Sequence, residues 1–361
     1  MRKLLRPFNP FDIQPDTLIS SDLHLHERKE FAKVDETTGL NSRLVEGLDI
    51  LQQIADILDA HPEIEWVYSL GDFFELKDKI PNHMLIEFQK MLSKIKSKNR
   101  IHTAILGNHD FNLPEYPTVS LFDITLATVP RCILRRDKVT VGFIPYRREF
   151  DKFLISLKSV NEQNPDIVFF HQETPGVSYE TGRDVPGTFP KDLLLPNTLY
   201  ISGHIHKSQV IGQIHYVGSP YQIRFSDEGQ TRYTWLLNSK TKKMAPIELK
   251  YPKFISINFS GTEDIEIDKS EVMGNYIRIT GEADASTWCS KNKQGIREQL
   301  EKVGAKGVSF QVQIIRQHQT NITTEMLGND DQIITEYVQD NNGESQISSE
   351  ELVRIGLDLL K

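Results

Sequence analysis

Five short runs of apolar residues punctuate the first two-thirds of the chain, and each stops abruptly in polar residues. They occupy residues 17–20, 66–70, 103–106, 166–170 and 199–201. Their β-branched, aromatic and aliphatic content is that of buried parallel strands. Two amphipathic patterns lie among them. Residues 42–60 set Leu44, Leu48, Leu51, Ile54 and Leu58 on one face, and residues 83–97 repeat the spacing with Met84, Phe88, Met91 and Ile95. Both predict helices that cover a sheet between strands. Further on, TRYTWLLN alternates, PKFISINF and GNYIRITGE read as strands, residues 286–303 as a helix and VSFQVQII as another strand. From His318 the chain turns polar and carries two short helical patterns around DNNGES. The second opens on a capping box, Ser348 to Glu351, and presents Leu352, Ile355 and Leu359. Residues 174–190 are rich in Gly and Pro without periodicity, a long loop expected at the rim of a site or as a surface excursion.

The pattern predicts an α/β fold in three parts. Residues 1–252 form the main domain, 253–317 a small α/β capping domain, and 318–361 a linker and helical tail. No internal repeat is present.

The chemistry sits where the apolar runs end. ISSDLHLH, SLGDFF, AILGNHD, VFFHQE and YISGHIH offer Asp22, His24, Asp72, Asn108, His171, His204 and His206, with His109 beside Asn108. Open α/β sheets bind ligands beyond the carboxyl ends of their strands. Asp22 and His24 are two apart, as are His204 and His206, so each pair is expected to project from one side of an extended segment. Gly71, Gly107 and Gly203 precede ligands, where the backbone must turn sharply or pass close to a metal. One buried Asp or His is usually a satisfied core group; this many in five strand-end clusters point to a centre for two divalent cations.

Charge explains the mixture of ligands. Two dications about 4 Å apart repel by roughly 16 kcal/mol at an effective dielectric of about 20. A bridging carboxylate offsets much of that, and Asp72, alone in its GD motif, is the natural bridge. Two carboxylates and a bridging hydroxide leave a small positive charge, suited to an anionic phosphodiester. Oxygen and imidazole donors without thiolates favour Mn, Fe or Zn.

The ordered set DxH, GD, GNHD, H and GHIH resembles the calcineurin-like metallophosphoesterase superfamily. Within it, GTFPKDLL, LYISGHIHKSQ and IHYVGSPYQIRFSDE resemble the SbcD-like DNA repair and recombination nuclease subunits, cellular or phage-encoded, over residues 16–240. The resemblance implies a sandwich of mixed sheets flanked by helices. It also implies two metal ions, manganese being the expected one, and a nuclease acting with an SMC-like coiled-coil ATPase of the SbcC type. Carried over by motif, one metal would take Asp22, His24, Asp72 and His206, and the other Asp72, Asn108, His171 and His204. His109 would face the scissile phosphate as acid or transition-state stabiliser. Cellular members carry a histidine three residues after the GD aspartate, where this chain has Glu75. How nucleic acid is held there does not carry over. The tail would dock on the ATPase, and a homodimer is a family expectation.

Composition adds bounds. The chain has 361 residues and is 38% hydrophobic, and no run approaches the ~20 apolar residues of a membrane span. MRKLLRPFNPF lacks the apolar core of a secretory signal. Cys132 and Cys289 have no metal spacing, so a cytoplasmic location, in a host cell if phage-encoded, is expected. A net charge of −8 leaves nucleic-acid binding to local stripes, with Arg147, Arg148 and Lys207 as candidate phosphate contacts. His61, His83 and His102 are read as structural, His26 as a site-lining or surface residue, and Glu75 as a loop cap. The alternatives are a phosphoesterase acting on a small molecule and a non-catalytic scaffold of the same fold. Phosphatases of the superfamily carry GDxVDRG, which GDFFELKDK lacks.

Overall fold

The computed structural model describes residues 9–96, 100–110, 118–260, 268–284, 293–315, 334, 335, 338 and 348–359. Two six-stranded sheets face each other. The first has the order β12 (Lys243–Ile247), β11 (Thr234–Asn238), β1 (Thr17–Ser20), β2 (Trp66–Ser69), β3 (Ile101–Ile105) and β4 (Thr125–Ala127). The second has the order β5 (Arg131–Leu134), β6 (Thr140–Ile144), β7 (Ile167–His171), β8 (Leu199–Gly203), β10 (Ile214–Tyr216) and β9 (Gln209–Ile211). β1 to β4 run parallel, as do β6, β7, β8 and β10, while β11, β12, β5 and β9 are antiparallel additions. The mixed-sheet sandwich expected from the sequence is the observed fold.

Strand alternation explains why the central strands carry apolar residues on both faces. Ile19, Tyr68, Ile105, Phe143, Phe169 and Ile201 meet between the sheets. Their neighbours Leu18, Val67 and Ala104 face the outer side, under α1 (Ser42–Ala60) and α2 (Asn82–Ile95). Val168, Phe170 and Tyr200 pack under α3 (Phe150–Asn161) on the opposite side. Leu44, Leu48, Leu51, Ile54 and Leu58 of α1 are all buried, as the periodicity requires, while Met91 of α2 is only partly so. A helix over both outer faces gives four layers, so the central strands are covered on both sides and need no alternation with polar residues.

A third sheet has the order β13 (Phe254–Ser260), β14 (Tyr276–Asp284) and β15 (Gly307–Ile315), accompanied by α4 (Lys269–Val272) and α5 (Lys293–Val303). The chain divides into two compact units. The first (Met1–Asn258, Ile265–Ile279 and Lys293–Phe310) holds both large sheets and the whole candidate site. Within it Arg43, 2% exposed, lies 4.5 Å over the ring of Tyr276. Glu46, 5% exposed, accepts the Tyr276 hydroxyl and the Lys306 ammonium, each at 2.6 Å. Arg43 also pairs with Glu46 and donates to the Ile223 carbonyl at 2.8 Å, so hydrogen bonds offset the burial of this charged pair on the covered face of α1.

The second unit (Phe259–Asp264, Thr280–Asn292 and Gln311–Lys361) contains α6 (Ser349–Leu359). The Glu351 N–H donates to the Ser348 hydroxyl at 3.3 Å, half of the expected capping box. The polar stretch from His318, most of the first tail helical pattern, Cys289 and the start of the 286–303 helix lie outside the described residues. No helix of the described residues is long and apolar enough to cross a membrane.

Candidate metal centre

All seven candidate ligands lie at or just beyond the carboxyl ends of β1, β2, β3, β7 and β8, where the two sheets meet at one edge. The first sheet contributes Asp22, His24, Asp72 and Asn108, and the second His171, His204 and His206. The local backbone differs from the extended segments expected for Asp22, His24, His204 and His206. Asp22 (φ 52°), His24 (φ 43°), Asp72 (φ 56°) and His204 (φ 77°) adopt the left-handed conformation. For residues with a Cβ this costs about 1–2 kcal/mol each, so neighbouring bonds must hold them there. The Asp22 N–H donates to the Gly71 carbonyl and the His24 N–H to the Asp72 carbonyl, each at 3.0 Å. The glycines serve the close approach of loops to one another. A Cβ at Gly107 would strike the Asp72 carboxylate, and one at Gly203 the Ser21 hydroxyl.

The inward atoms form two clusters that share one carboxylate. In the first, His24 Nε2 and His206 Nε2 are 3.0 Å apart, and Asp22 Oδ1 lies 4.0 and 3.9 Å from them. In the second, Asn108 Oδ1 is 3.1 Å from His171 Nε2 and 2.8 Å from His204 Nδ1. Asp72 Oδ2 stands between, 3.5 Å from His24 Nε2 and 3.3 Å from His171 Nε2.

This donor set fits two divalent cations. Asp22 and Asp72 are 0% and 2% exposed, and among the described residues their ion-pair partners are histidines, not lysines or arginines. Two buried carboxylates with no permanent cation, ringed by imidazole nitrogens facing one another, leave a charge deficit that bound cations would meet.

The outward atoms fix ligand orientation. His171 Nδ1 donates to the Leu70 carbonyl at 2.5 Å, so its Nε2 faces inward. His204 Nε2 lies 3.2 Å from Glu173, which also accepts the Tyr179 hydroxyl. His24 Nδ1 is 3.1 Å from Glu75 Oε2 but off the ring N–H direction, an ionic contact rather than an aligned hydrogen bond. Arg28 pairs with the other Glu75 oxygen. Glu75 is thus part of the His24 support and not only a loop cap. His206 Nδ1 has no hydrogen-bond partner among the described residues, but its carbonyl accepts the buried Arg232 guanidinium.

Burial works against a proton on His171, but the Asp72 charge, its hydrogen bond and Asp22 outweigh it and raise the pKa to about 9. Burial pushes His206 well below the ordinary imidazole value, helped by the charges of His24 and Arg232.

His109 faces the same cleft. Its N–H donates to Asp72 Oδ1 and its ring Nδ1 to the Glu75 carbonyl, both at 2.7 Å, which makes Nε2 the unprotonated nitrogen of the neutral ring. Burial lowers its pKa, with the Asp72 charge pulling the other way.

The fourth residue of GNHD went unassigned from the sequence. Asp110 accepts the N–H groups of Asp72 (2.7 Å), Phe73 (2.9 Å) and Gly107 (2.7 Å), and so ties the GD loop to the GNHD loop. Burial and the Asp72 charge raise its pKa to about 6. Its place beside two candidate site residues, Asn108 and His109, was the available signal.

The cleft above the clusters measures about 230 Å³, and Arg28 and Arg224 are the cations in its lining. Arg147, Arg148 and Lys207 are not in that lining; the Arg147 N–H instead donates to Gln172 at 3.1 Å. His61 stacks on Phe11, His83 pairs with Glu27 and His102 meets the Ser69 hydroxyl, all away from the clusters.

Comparison with known proteins points the same way. The profile of calcineurin-like phosphoesterases matches residues 16–208, more than half of the chain. Exonuclease subunit 1 of Enterobacteria phage T4 is 23% identical over 274 residues, covering 71% of this chain and 75% of that protein. Two solved structures overlap in part. Pseudomonas putida nuclease MPE is 16% identical with a TM-score of 0.32, over 65% of this chain and 88% of that one. A hypothetical protein of Pyrococcus horikoshii OT3 is 13% identical with a TM-score of 0.34, over 66% and 88%.

Proposed function

Because the chain belongs to the calcineurin-like phosphoesterase family and is a metal-dependent phosphodiesterase, we propose that its substrate is DNA and that it works as a two-metal, manganese-dependent nuclease subunit. The observation that carries the two-metal reading is Asp72 Oδ2, set between His24 Nε2 at 3.5 Å and His171 Nε2 at 3.3 Å. The likeness to a phage exonuclease subunit supports the substrate.

One ion would be held by Asp22, His24, Asp72 and His206, and the other by Asp72, Asn108, His171 and His204. Bound there, such ions neutralise phosphate charge and activate water for attack on phosphorus. The chain's own residues do the rest. Asp72 couples the two sites, and Asp110 holds the Asp72 and Gly107 backbones at fixed separation. His109, oriented through Nδ1, presents Nε2 to the cleft. When water adds to phosphorus it releases one proton to solvent, and as the bond to the 3′-oxygen breaks, the His109 imidazolium stabilises that oxygen or gives it the Nε2 proton.

The same proposal includes an SMC-like ATPase partner of the SbcC type, a homodimer and a cytoplasmic location. It keeps the division into residues 1–252, 253–317 and 318–361, with the last segment docking on the ATPase. Arg147, Arg148 and Lys207 remain proposed phosphate contacts for DNA beyond the cleft.

The test is hydrolysis of a labelled linear duplex with Mn²⁺, with and without the ATPase and ATP. His109→Gln is expected to lower turnover by about 10²–10⁴ while calorimetry finds metal binding retained. Undiminished turnover would remove His109 from the chemistry. No DNA cleavage, alongside turnover of a small phosphodiester, would move the substrate to a small molecule.

A further inference from the structure

The two permanent cations in the lining of the metal cleft differ in what surrounds them. Arg28 pairs with Glu75, so its charge is matched before any substrate arrives. Arg224 is exposed and forms no ion pair with a described residue, although Glu75 and Glu180 lie in the same lining. After burial and the charges of His24 and Arg232, the Arg224 charge also disfavours a proton on His206, which puts the guanidinium on the His206 side of the cleft.

The backbone that carries Arg224 has a buried mount. Asp227, 0% exposed, accepts the N–H groups of Ile223 at 2.8 Å and Arg224 at 3.3 Å through Oδ2. Its Oδ1 lies 2.8 Å from the buried Arg232 guanidinium, which donates to the His206 carbonyl. One buried pair thus ties the backbone of Arg224 to that of a candidate metal ligand, and anchors the base of the exposed side chain beside the centre.

We propose that Arg224 binds a second phosphate of the substrate, next to the one being cleaved, and so makes the cleft prefer a chain of phosphodiesters to a lone one. The inference rests on the two-metal nuclease reading above. Charge selects the second phosphate. The scissile phosphodiester brings a single negative charge. The small positive charge left by two dications, Asp22, Asp72 and a bridging hydroxide already meets it. An exposed guanidinium without a carboxylate partner is then one anion short, and its planar fork matches two oxygens of one phosphate. Arg28, engaged by Glu75, has no such charge to spare.

The test uses the full chain with Mn²⁺ and single-stranded oligonucleotides in which one phosphate is replaced by an uncharged methylphosphonate at successive linkages. In the wild type, cleavage at a linkage flanking the methylphosphonate is expected to fall about tenfold below that at other linkages. Arg224→Gln, a change at an exposed position, should cut every linkage at the reduced rate, so that the methylphosphonate costs nothing more. Bis(p-nitrophenyl) phosphate has only one phosphate and should lose less than the oligonucleotide in the same variant. A second readout needs no DNA cleavage. Thymidine 3′,5′-bisphosphate should inhibit turnover of that ester about tenfold more tightly than either thymidine monophosphate, and Arg224→Gln should erase the margin. A methylphosphonate contrast that survives Arg224→Gln, or equal losses on oligonucleotide and ester, would overturn the second phosphate. Absence of oligonucleotide cleavage with the bisphosphate margin intact would sink the nuclease reading and keep the phosphate site.

Discussion

The two halves of the metal centre are supported in different ways. Around Asn108, His171 and His204, both imidazoles have their outward nitrogen engaged, one by the Leu70 carbonyl and one by Glu173. Around Asp22, His24 and His206, His24 leans on Glu75 at an off-axis 3.1 Å and His206 Nδ1 has no hydrogen-bond partner among the described residues. Outer partners fix ring orientation and raise ligand basicity. The Asn108 half is therefore the more preorganised, and its ion is expected to bind more tightly than its neighbour. Asp72 belongs to both halves, so it is also where the asymmetry can be broken.

Asp72→Asn makes the largest difference. It keeps the shape and removes the charge that both halves share. Turnover is expected to fall on the order of 10³-fold or more, and calorimetry should count one ion or none. Two intact, independent sites would refute the bridge.

Asp110→Ala attacks the frame under that bridge. It strands three buried N–H donors and should cost about 3 kcal/mol of stability, read as a lower urea midpoint. An unchanged midpoint would mean that the two loops hold without their tie.

Charge removal at the outer carboxylates separates the halves. Glu75→Gln should weaken only the looser ion and Glu173→Gln only the tighter one, each by roughly 10–100-fold. Equal effects of both substitutions on both ions would show that the halves are not distinct. Chelator titration of the wild type should likewise strip one ion before the other.

The division between legible and hidden features follows from range. Core strands and helices were readable because burial imposes a period on neighbouring positions: α1 spans Ser42–Ala60 as its leucine spacing requires. The ligands were readable because strand ends carry them in short motifs that bring their own chemistry. Asp110, Glu75 and Glu46 were not. Among their partners are residues 38 to 260 positions away in sequence, Asp72 for Asp110, Arg28 for Glu75 and Lys306 for Glu46. A carboxylate whose role is to accept distant N–H groups looks in sequence like any polar loop residue. Backbone conformation was hidden too. The spacing of Asp22 and His24 suits a strand, and only the pairing with Gly71 and Asp72 carbonyls sets them left-handed. β4, β5, β6 and α3 came from a stretch that had no assigned pattern.

The smallest predicted effect is a proton count. Metal-free, His171 is held to a pKa of about 9 by Asp72 and Asp22, against the pull of burial. Below that pH its ring carries a proton that must leave before Nε2 can bind an ion. Apparent affinity in the Asn108 half should therefore rise with pH, by at most about tenfold per unit, and level off above the folded pKa. His206, pushed well below the ordinary value, has no proton to release near neutrality. Linkage to folding runs in the opposite sense. A raised histidine pKa stabilises the metal-free fold fully below its unfolded value of about 6.5. That contribution is lost as pH climbs through the folded value. The metal-free protein should thus lose this increment over the pH range in which the Asn108 half gains affinity, and the rise in Tm produced by Mn²⁺ should grow between about pH 7 and 8.5. Calorimetry in buffers of different ionisation enthalpy would count the proton directly. A Mn²⁺-induced Tm shift that is flat with pH, with no proton released, would mean that His171 is already neutral and that the two halves differ in geometry alone.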